Sequence, residues 1–209
     1  MTAYPVVLRL SGRRVLVVGG GAVAARKVEG LLASGAAVTV VAPAVVAELR
    51  DAAARGEVEI VERSYRPGDL EGACLVLTAT DDDTTQQQVF DDAEAAGIWV
   101  NAADDPLRCS FFLPAVHRRE PVLVAVSTQG TSPALAAWLR DRVAAVLPER
   151  LEELVAALAR RRAEVQAQGR STEDEDWPAV IEAWAADSGR GATSDDTAAD
   201  EPTVTPPNL

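Results

Sequence analysis

Between residues 13 and 101 the chain alternates short, nearly all-apolar β-branched runs with longer, alanine-rich segments of helical period. Such alternation is the mark of βαβ units and a parallel sheet, because strands covered by helices on both faces have no polar side to show. The spacing predicts strands over 15–18, 38–41, 58–61, 74–78 and 98–100. It predicts helices over 22–34, 43–55 and 82–96, each followed by a glycine, Gly35, Gly56 and Gly97, at the position where a helix commonly ends left-handed.

After Asn101 the pattern changes. A loop containing Pro and Asp covers 102–114, an apolar strand 122–126, a polar turn 127–133 and a helix 134–146, which Pro148 stops. Leu151, Leu154, Val155 and Leu158 then recur at the spacing of an amphipathic helix. From about Gly169 the composition turns to Ser, Thr, Asp, Glu, Gly and Pro, apart from an apolar island over 177–184, and predicts a mostly disordered segment. The expected organisation is an α/β, Rossmann-like parallel sheet over 1–113, a dimerisation and substrate region over 114–147, a helical unit over 148–169 and an acidic tail over 170–209.

Charge follows that division. Residues 1–169 hold 18 Lys/Arg against 22 Asp/Glu, whereas residues 170–209 hold 2 against 10, so the tail carries most of the net −12. The body is nearly balanced. No basic stripe stands out, which argues against nucleic acid as a partner, and no run approaches the roughly 18 apolar residues of a membrane helix. Cys74 and Cys109 lie too far apart for a C-x-x-C site, and with His117 as the sole histidine no metal site is expected. Without a secretory leader pattern in the first residues, the expected location is the cytoplasm.

The stretch with the most chemical content follows the first strand. Gly19-Gly20-Gly21-Ala22-Val23-Ala24 reads G-x-G-x-x-A between a strand and a helix, where backbone N–H groups and the helix dipole hold a pyrophosphate. Gly19 permits the turn, Gly21 the approach of phosphate and Ala24 close packing of helix on strand. Rossmann domains that take NAD commonly place an acid after the second strand; here the chain reads Val40-Val41-Ala42-Pro43, and no arginine stands there for NADP either. The general rule leaves the nucleotide undecided.

The run Val17-Val18-Gly19-Gly20-Gly21-Ala22-Val23-Ala24-Ala25-Arg26-Lys27 resembles the opening of the precorrin-2 dehydrogenase/sirohydrochlorin ferrochelatase family. In the same order follow Ala42-Pro43, Ala79-Thr80-Asp81-Asp82, Asn101-Ala102-Ala103-Asp104-Asp105-Pro106 with Phe111-Phe112-Leu113-Pro114-Ala115, and Ser127-Thr128-Gln129-Gly130-Thr131-Ser132-Pro133 with Arg140. The resemblance spans most of residues 4–150. It implies NAD-dependent oxidation of precorrin-2 to sirohydrochlorin in siroheme synthesis by a homodimer. In this family Ala-Pro accompanies NAD, so Gly19, Gly20, Gly21, Ala22, Val23, Ala42, Pro43, Thr80 and Asn101 are the expected cofactor residues.

By the same resemblance Asp104 is the catalytic aspartate, and its place just past the fifth strand suits a proton acceptor beside a nicotinamide. Asp105 reads as a cap for the turn at Pro106. Ser127, Thr128, Thr131 and Ser132 read either as the lining of a pocket for a carboxylate-rich tetrapyrrole or as a turn and N-cap before the next helix. Members of the family differ in whether they also take ferrous ion as a substrate for insertion, and no residue here decides that. A non-catalytic NAD-sensing module and an oxidoreductase for another anionic substrate are the rival readings; the sensor has no need of Asp104.

Overall fold

The computed structural model describes residues 3–190. Its centre is a five-stranded parallel sheet of β1 (Arg14–Val18), β2 (Ala37–Val41), β3 (Val58–Val61), β4 (Leu75–Thr78) and β5 (Trp99–Ala102), in the order β3-β2-β1-β4-β5. The chain builds outward from β1 to β3 and then returns to lay β4 on the other side of β1. That reversal opens a crevice at the C-terminal ends of β1 and β4, the place where open α/β sheets bind ligands.

Three helices connect these strands: α1 (Ala22–Leu32), α2 (Ala47–Ala54) and α3 (Asp83–Ala96). Two apolar layers cover the sheet, as the near-absence of polar residues in the strands requires. Val15, Val17, Val38, Val40, Leu75 and Leu77 face Ala24, Val28 and Leu31 of α1 and Leu49 and Ala52 of α2. Leu16, Val18, Val76 and Val100 face Val89 and Ala93 of α3. Gly35, Gly56 and Gly97 all take positive φ, as their helix-ending positions demand.

The second helix starts later than the sequence suggests. Residues 43–46 do not coil; the backbone N–H of Val46 donates to the Gly20 carbonyl at 2.8 Å, and that bond draws the segment across the glycine turn. Within the expected loop 102–114, Pro106–Arg108 forms a short 3-10 turn. Residues Ala115–Arg119 form a strand, β6, which the polar run His117-Arg118-Arg119 concealed; it pairs with β7 (Val122–Val126) in a two-stranded sheet. The remaining helices are α4 (Pro133–Ala144), α5 (Leu151–Ala167) and α6 (Trp177–Arg190).

Helix α6 occupies part of the stretch expected to be mostly disordered, centred on its apolar island. Arg161 and Arg170 both pair with Glu175, and the Trp177 indole N–H donates to the Thr172 carbonyl at 2.8 Å, so the approach to α6 is tied down locally. The remainder of that expectation, residues 191–209, lies outside the described residues. The chain divides into two compact units, Met1–Val116 with Ala125–Arg140, and His117–Val124 with the chain from Asp141 onward.

Candidate functional site

Everything singled out in the sequence as catalytic, cofactor-binding or substrate-binding falls in the first unit. The glycine turn is clamped between the ends of β2 and β4. Gly19 donates its N–H to the Val41 carbonyl at 3.0 Å, and Ala79 donates to the Val18 carbonyl at 2.8 Å. Gly19 has φ of +129°, and a Cβ there would lie 2.1 Å from the Ala79 carbonyl oxygen. No other residue fits.

Gly20, the freely variable position of the motif, is as constrained as Gly19. A Cβ on it would lie 2.0 Å from the Ala44 carbonyl oxygen and 3.0 Å from the Ala42 methyl. Gly21 is different: it is the N-cap of α1, its φ of −84° suits any residue, and open space surrounds its missing side chain. No side chain caps α1 and no acid stands in its first turn, so the first N–H groups of the helix, at Ala22 and Val23, face outward at the positive end of the dipole. An uncapped helix start with open space at Gly21 fits a pyrophosphate. Ala24 is fully buried and lets α1 rest on the sheet.

On the β2 side Ala42 is buried and its N–H donates to Val61 at 3.3 Å, while Pro43 is exposed. The end of β2 therefore offers an apolar, close-fitting surface and no carboxylate. On the β4 side Thr80 shapes the turn into α3: its hydroxyl accepts from the Asp82 N–H at 3.3 Å and its carbonyl accepts from the Gln86 amide at 2.8 Å. Thr78 beside it is fully buried, and its hydroxyl has no partner among the described residues.

The loop after β5 carries the acidic pair. Asp104 is exposed with φ of +58°, a left-handed conformation that aspartate tolerates better than most residues. Asp105 has a structural role instead, accepting from the Leu107 N–H at 3.0 Å and pairing with Arg108 at 2.9 Å. β5 lies two strands from β1, a lateral separation of about 10 Å between the strands whose ends lead to Asp104 and to the glycine turn. That is a span a dinucleotide bridges.

Asn101 is buried, and its amide is used within the protein. It donates to the Phe111 carbonyl at 3.0 Å and the Cys109 sulfur at 3.4 Å, and it accepts from Lys27 Nζ at 3.1 Å. Lys27, the single lysine of the sequence, enters the sequence reading only within the run that carries the resemblance and has no role there. Burial pulls its pKa below the ordinary lysine value, partly offset by Cys109 and Asp104. Cys109, half-buried, donates toward the Ala102 and Asp105 carbonyls at 3.3 and 3.1 Å, and burial pushes its thiol pKa up.

The polar turn takes the shape of a helix entry. Thr128 and Ser132 exchange hydrogen bonds at 2.9 and 3.0 Å, Ser132 Oγ caps α4 by accepting from the Leu135 N–H at 3.2 Å, and Ser127 Oγ accepts from the Gln129 N–H at 3.1 Å. Thr131 joins through its backbone N–H, donating to the Thr128 carbonyl at 3.0 Å. Gly130, at φ of +79°, lies against the Phe112 ring, so the turn rests on the chain that follows Asp104.

Among the described residues, no three His, Cys, Asp or Glu side chains come together in a way that could hold a metal ion, and no helix is long and apolar enough to cross a membrane.

Two family models match. Residues 6–115 match a family of NAD(P)-binding domains, and residues 119–145 match the sirohaem biosynthesis protein central family. The siroheme synthase of Photorhabdus laumondii is 44% identical over 151 residues, covering 72% of this chain and 32% of its own length. Siroheme synthase 1 of Aeromonas salmonicida is 41% identical over 167 residues, covering 80% and 36%. The chain thus spans about a third of the length of these curated relatives. A solved structure named SirC, precorrin-2 dehydrogenase, superposes with a TM-score of 0.67 at 31% identity, covering 82% of this chain and 84% of that one.

Proposed function

The chain belongs to the NAD(P)-binding family of siroheme-biosynthesis proteins that includes SirC, and from that membership we propose that it is an NAD-dependent precorrin-2 dehydrogenase. The observation that carries the reading is the exposed, left-handed Asp104 on the same sheet edge as an uncapped, glycine-cradled helix start. A sensor that only binds dinucleotide needs the second feature and not the first.

The residues fit the cofactor as follows. Gly19 and Gly20 hold the turn, Gly21 leaves room for the pyrophosphate, and the N–H groups of Ala22 and Val23 bind it. Ala42 and Pro43 form the apolar wall beside the adenosine ribose, which supports NAD over NADP because no cation stands there for a further phosphate. The Thr80 and Asn101 segments frame the nicotinamide end. When bound, the nicotinamide supplies a hydride acceptor.

Oxidation of precorrin-2 breaks two bonds to hydrogen and makes one new carbon–carbon or carbon–nitrogen double bond. A nicotinamide held at this site would take one hydrogen together with its electron pair. The other leaves as a proton to the Asp104 carboxylate, which passes it to solvent because the side chain is exposed. The turn carrying Ser127, Thr128, Thr131 and Ser132 binds the substrate, whose carboxylates suit the hydroxyls of Ser127, Thr131 and Ser132 as donors; its packing on Phe112 keeps it beside the Asp104 loop.

We further propose a cytoplasmic homodimer that pairs through the region of β7 and α4, both of which the sirohaem central family model covers. Sedimentation at micromolar concentration gives a dimer if this is right and a monomer if it is wrong. The activity is tested by mixing the chain with precorrin-2 and NAD+ and following NADH absorbance, then adding ferrous ion. NADH formation supports the dehydrogenase, its absence refutes it, and siroheme formation in the second step adds iron insertion.

A further inference from the structure

A chain of hydrogen bonds runs from the helix that begins at the glycine turn to the loop that carries Asp104. Lys27 stands in α1, one turn beyond Val23, and its ammonium donates to Asn101 Oδ1 at 3.1 Å. Asn101, in β5, passes the connection on by donating to Cys109 Sγ at 3.4 Å and to the Phe111 carbonyl at 3.0 Å. Cys109 then holds both ends of the loop, donating toward the Ala102 carbonyl at 3.3 Å and the Asp105 carbonyl at 3.1 Å and accepting from the Ala102 N–H at 3.3 Å. Asp104 lies between those two anchor points.

The same ammonium is electrostatically coupled to Asp104 itself. The charged or titratable groups that act on Lys27 are Cys109 and Asp104, from the β5 side, and Arg26 on its own helix. Removing a lysine head from water is unfavourable unless it is paired and hydrogen-bonded. Here the partners are a neutral amide and the loop carboxylate, and nothing about packing α1 on the sheet requires a cation: Ala24, Val28 and Leu31 already do that.

We propose that Lys27 is a positioning residue for the dehydrogenation, fixing the Asp104 loop relative to the helix that holds the pyrophosphate by way of Asn101 and Cys109. This rests on the dehydrogenase reading given above. The physical need is plain: hydride and proton leave neighbouring positions of one macrocycle, so the acceptor carboxylate and the nicotinamide must keep a fixed separation, and small displacements are costly in rate. Because burial lowers the pKa of Lys27, it loses its charge at a lower pH than an exposed lysine, and the positioning fails on the alkaline side.

The test compares wild type with Lys27→Met and Lys27→Arg by three readouts. These are kcat and KM for precorrin-2 from about pH 7 to pH 10, the dissociation constant of NAD+, and hydrogen exchange of the amides from Ala102 to Cys109. Lys27→Met is expected to lower kcat on the order of 10- to 100-fold, leave NAD+ affinity within about twofold and speed exchange in the loop. Lys27→Arg, which stays charged throughout, restores kcat, restores loop protection and moves the alkaline limb of the profile to higher pH. Wild-type kcat and loop protection in Lys27→Met overturn the proposal, as does an alkaline limb that Lys27→Arg leaves in place. If the wild-type chain oxidises no precorrin-2, the function fails first; loop exchange then decides Lys27 by itself, unchanged protection in Lys27→Met refuting it.

Discussion

The carbonyl oxygen of Ala44 lies 2.0 Å from where a Cβ on Gly20 would stand, so the second glycine of the turn is fixed by backbone and not by cofactor. Gly21, one residue later, meets nothing within 4 Å. Neighbouring glycines thus answer to different constraints. Gly20→Ala is expected to destabilise the fold by about 1–3 kcal/mol, since the atom it would strike is main chain and cannot swing aside. Gly21→Ala is expected to leave stability within about 0.5 kcal/mol while weakening NAD+ binding at least tenfold. Thermal unfolding and NAD+ titration of both variants separate the two roles.

Asp104 holds a φ of +58°, which makes the choice of substitution matter. Asparagine accepts the left-handed region as readily as aspartate and removes only the carboxylate. Asp104→Asn is therefore expected to keep the melting temperature and NAD+ affinity and to lower kcat by about 100-fold or more, the usual contribution of a positioned proton acceptor. Asp104→Ala loses the same activity and adds about 1 kcal/mol of backbone strain. Steady-state kinetics beside thermal melts resolve both effects.

Asp69 closes the 3-10 turn Pro67–Leu70 by accepting from the Arg66 N–H at 2.8 Å and pairing bidentately with Arg63 at 2.6 and 2.8 Å. The Arg63 hydrogen bonds hold its pKa below the ordinary carboxylate value. A depressed folded pKa contributes stability that is present above the unfolded value, near about 3.9, and is lost as pH falls through the folded one. Asp69→Asn should melt below wild type at neutral pH, and the gap should close as the pH drops below about 4. Melting curves across that range check it; a constant gap contradicts it.

Pro43 is exposed beside buried Ala42 just past the end of β2, where the proposed function sets the adenosine ribose. An arginine at 43 adds the guanidinium that a 2′-phosphate requires, whereas a charge at 42 would have to be buried. Pro43→Arg is expected to raise kcat/KM with NADP+ about tenfold and to change the NAD+ value little. Equal use of NADP+ by the wild-type chain would show that the apolar wall does not select the cofactor.

The sheet was legible because its strands are buried on both faces and so lack polar residues, and because Gly35, Gly56 and Gly97 stand where helices end. Other features were hidden for physical reasons. The restriction on Gly20 comes from Ala44, a neighbour in space whose position depends on residues 43–46 staying out of the helix; the same segment shortened the expected second helix. Strand β6 was masked by the polar run His117-Arg118-Arg119, which breaks the apolar pattern by which the other strands are read. Lys27 gave no local signal, since its partners Asn101 and Asp104 are more than 70 positions away and meet it only once β5 is placed. Asp104 was found through resemblance and position together, and its left-handed backbone is a structural addition.

A structure of the chain with NAD+ bound tests the account most directly. The prediction is a pyrophosphate against Gly21 and the N–H groups of Ala22 and Val23, with the nicotinamide at the β4 and β5 ends, close enough to Asp104 that one reacting edge of the macrocycle fits between them. A dinucleotide bound elsewhere, or a nicotinamide turned away from residue 104, would contradict it.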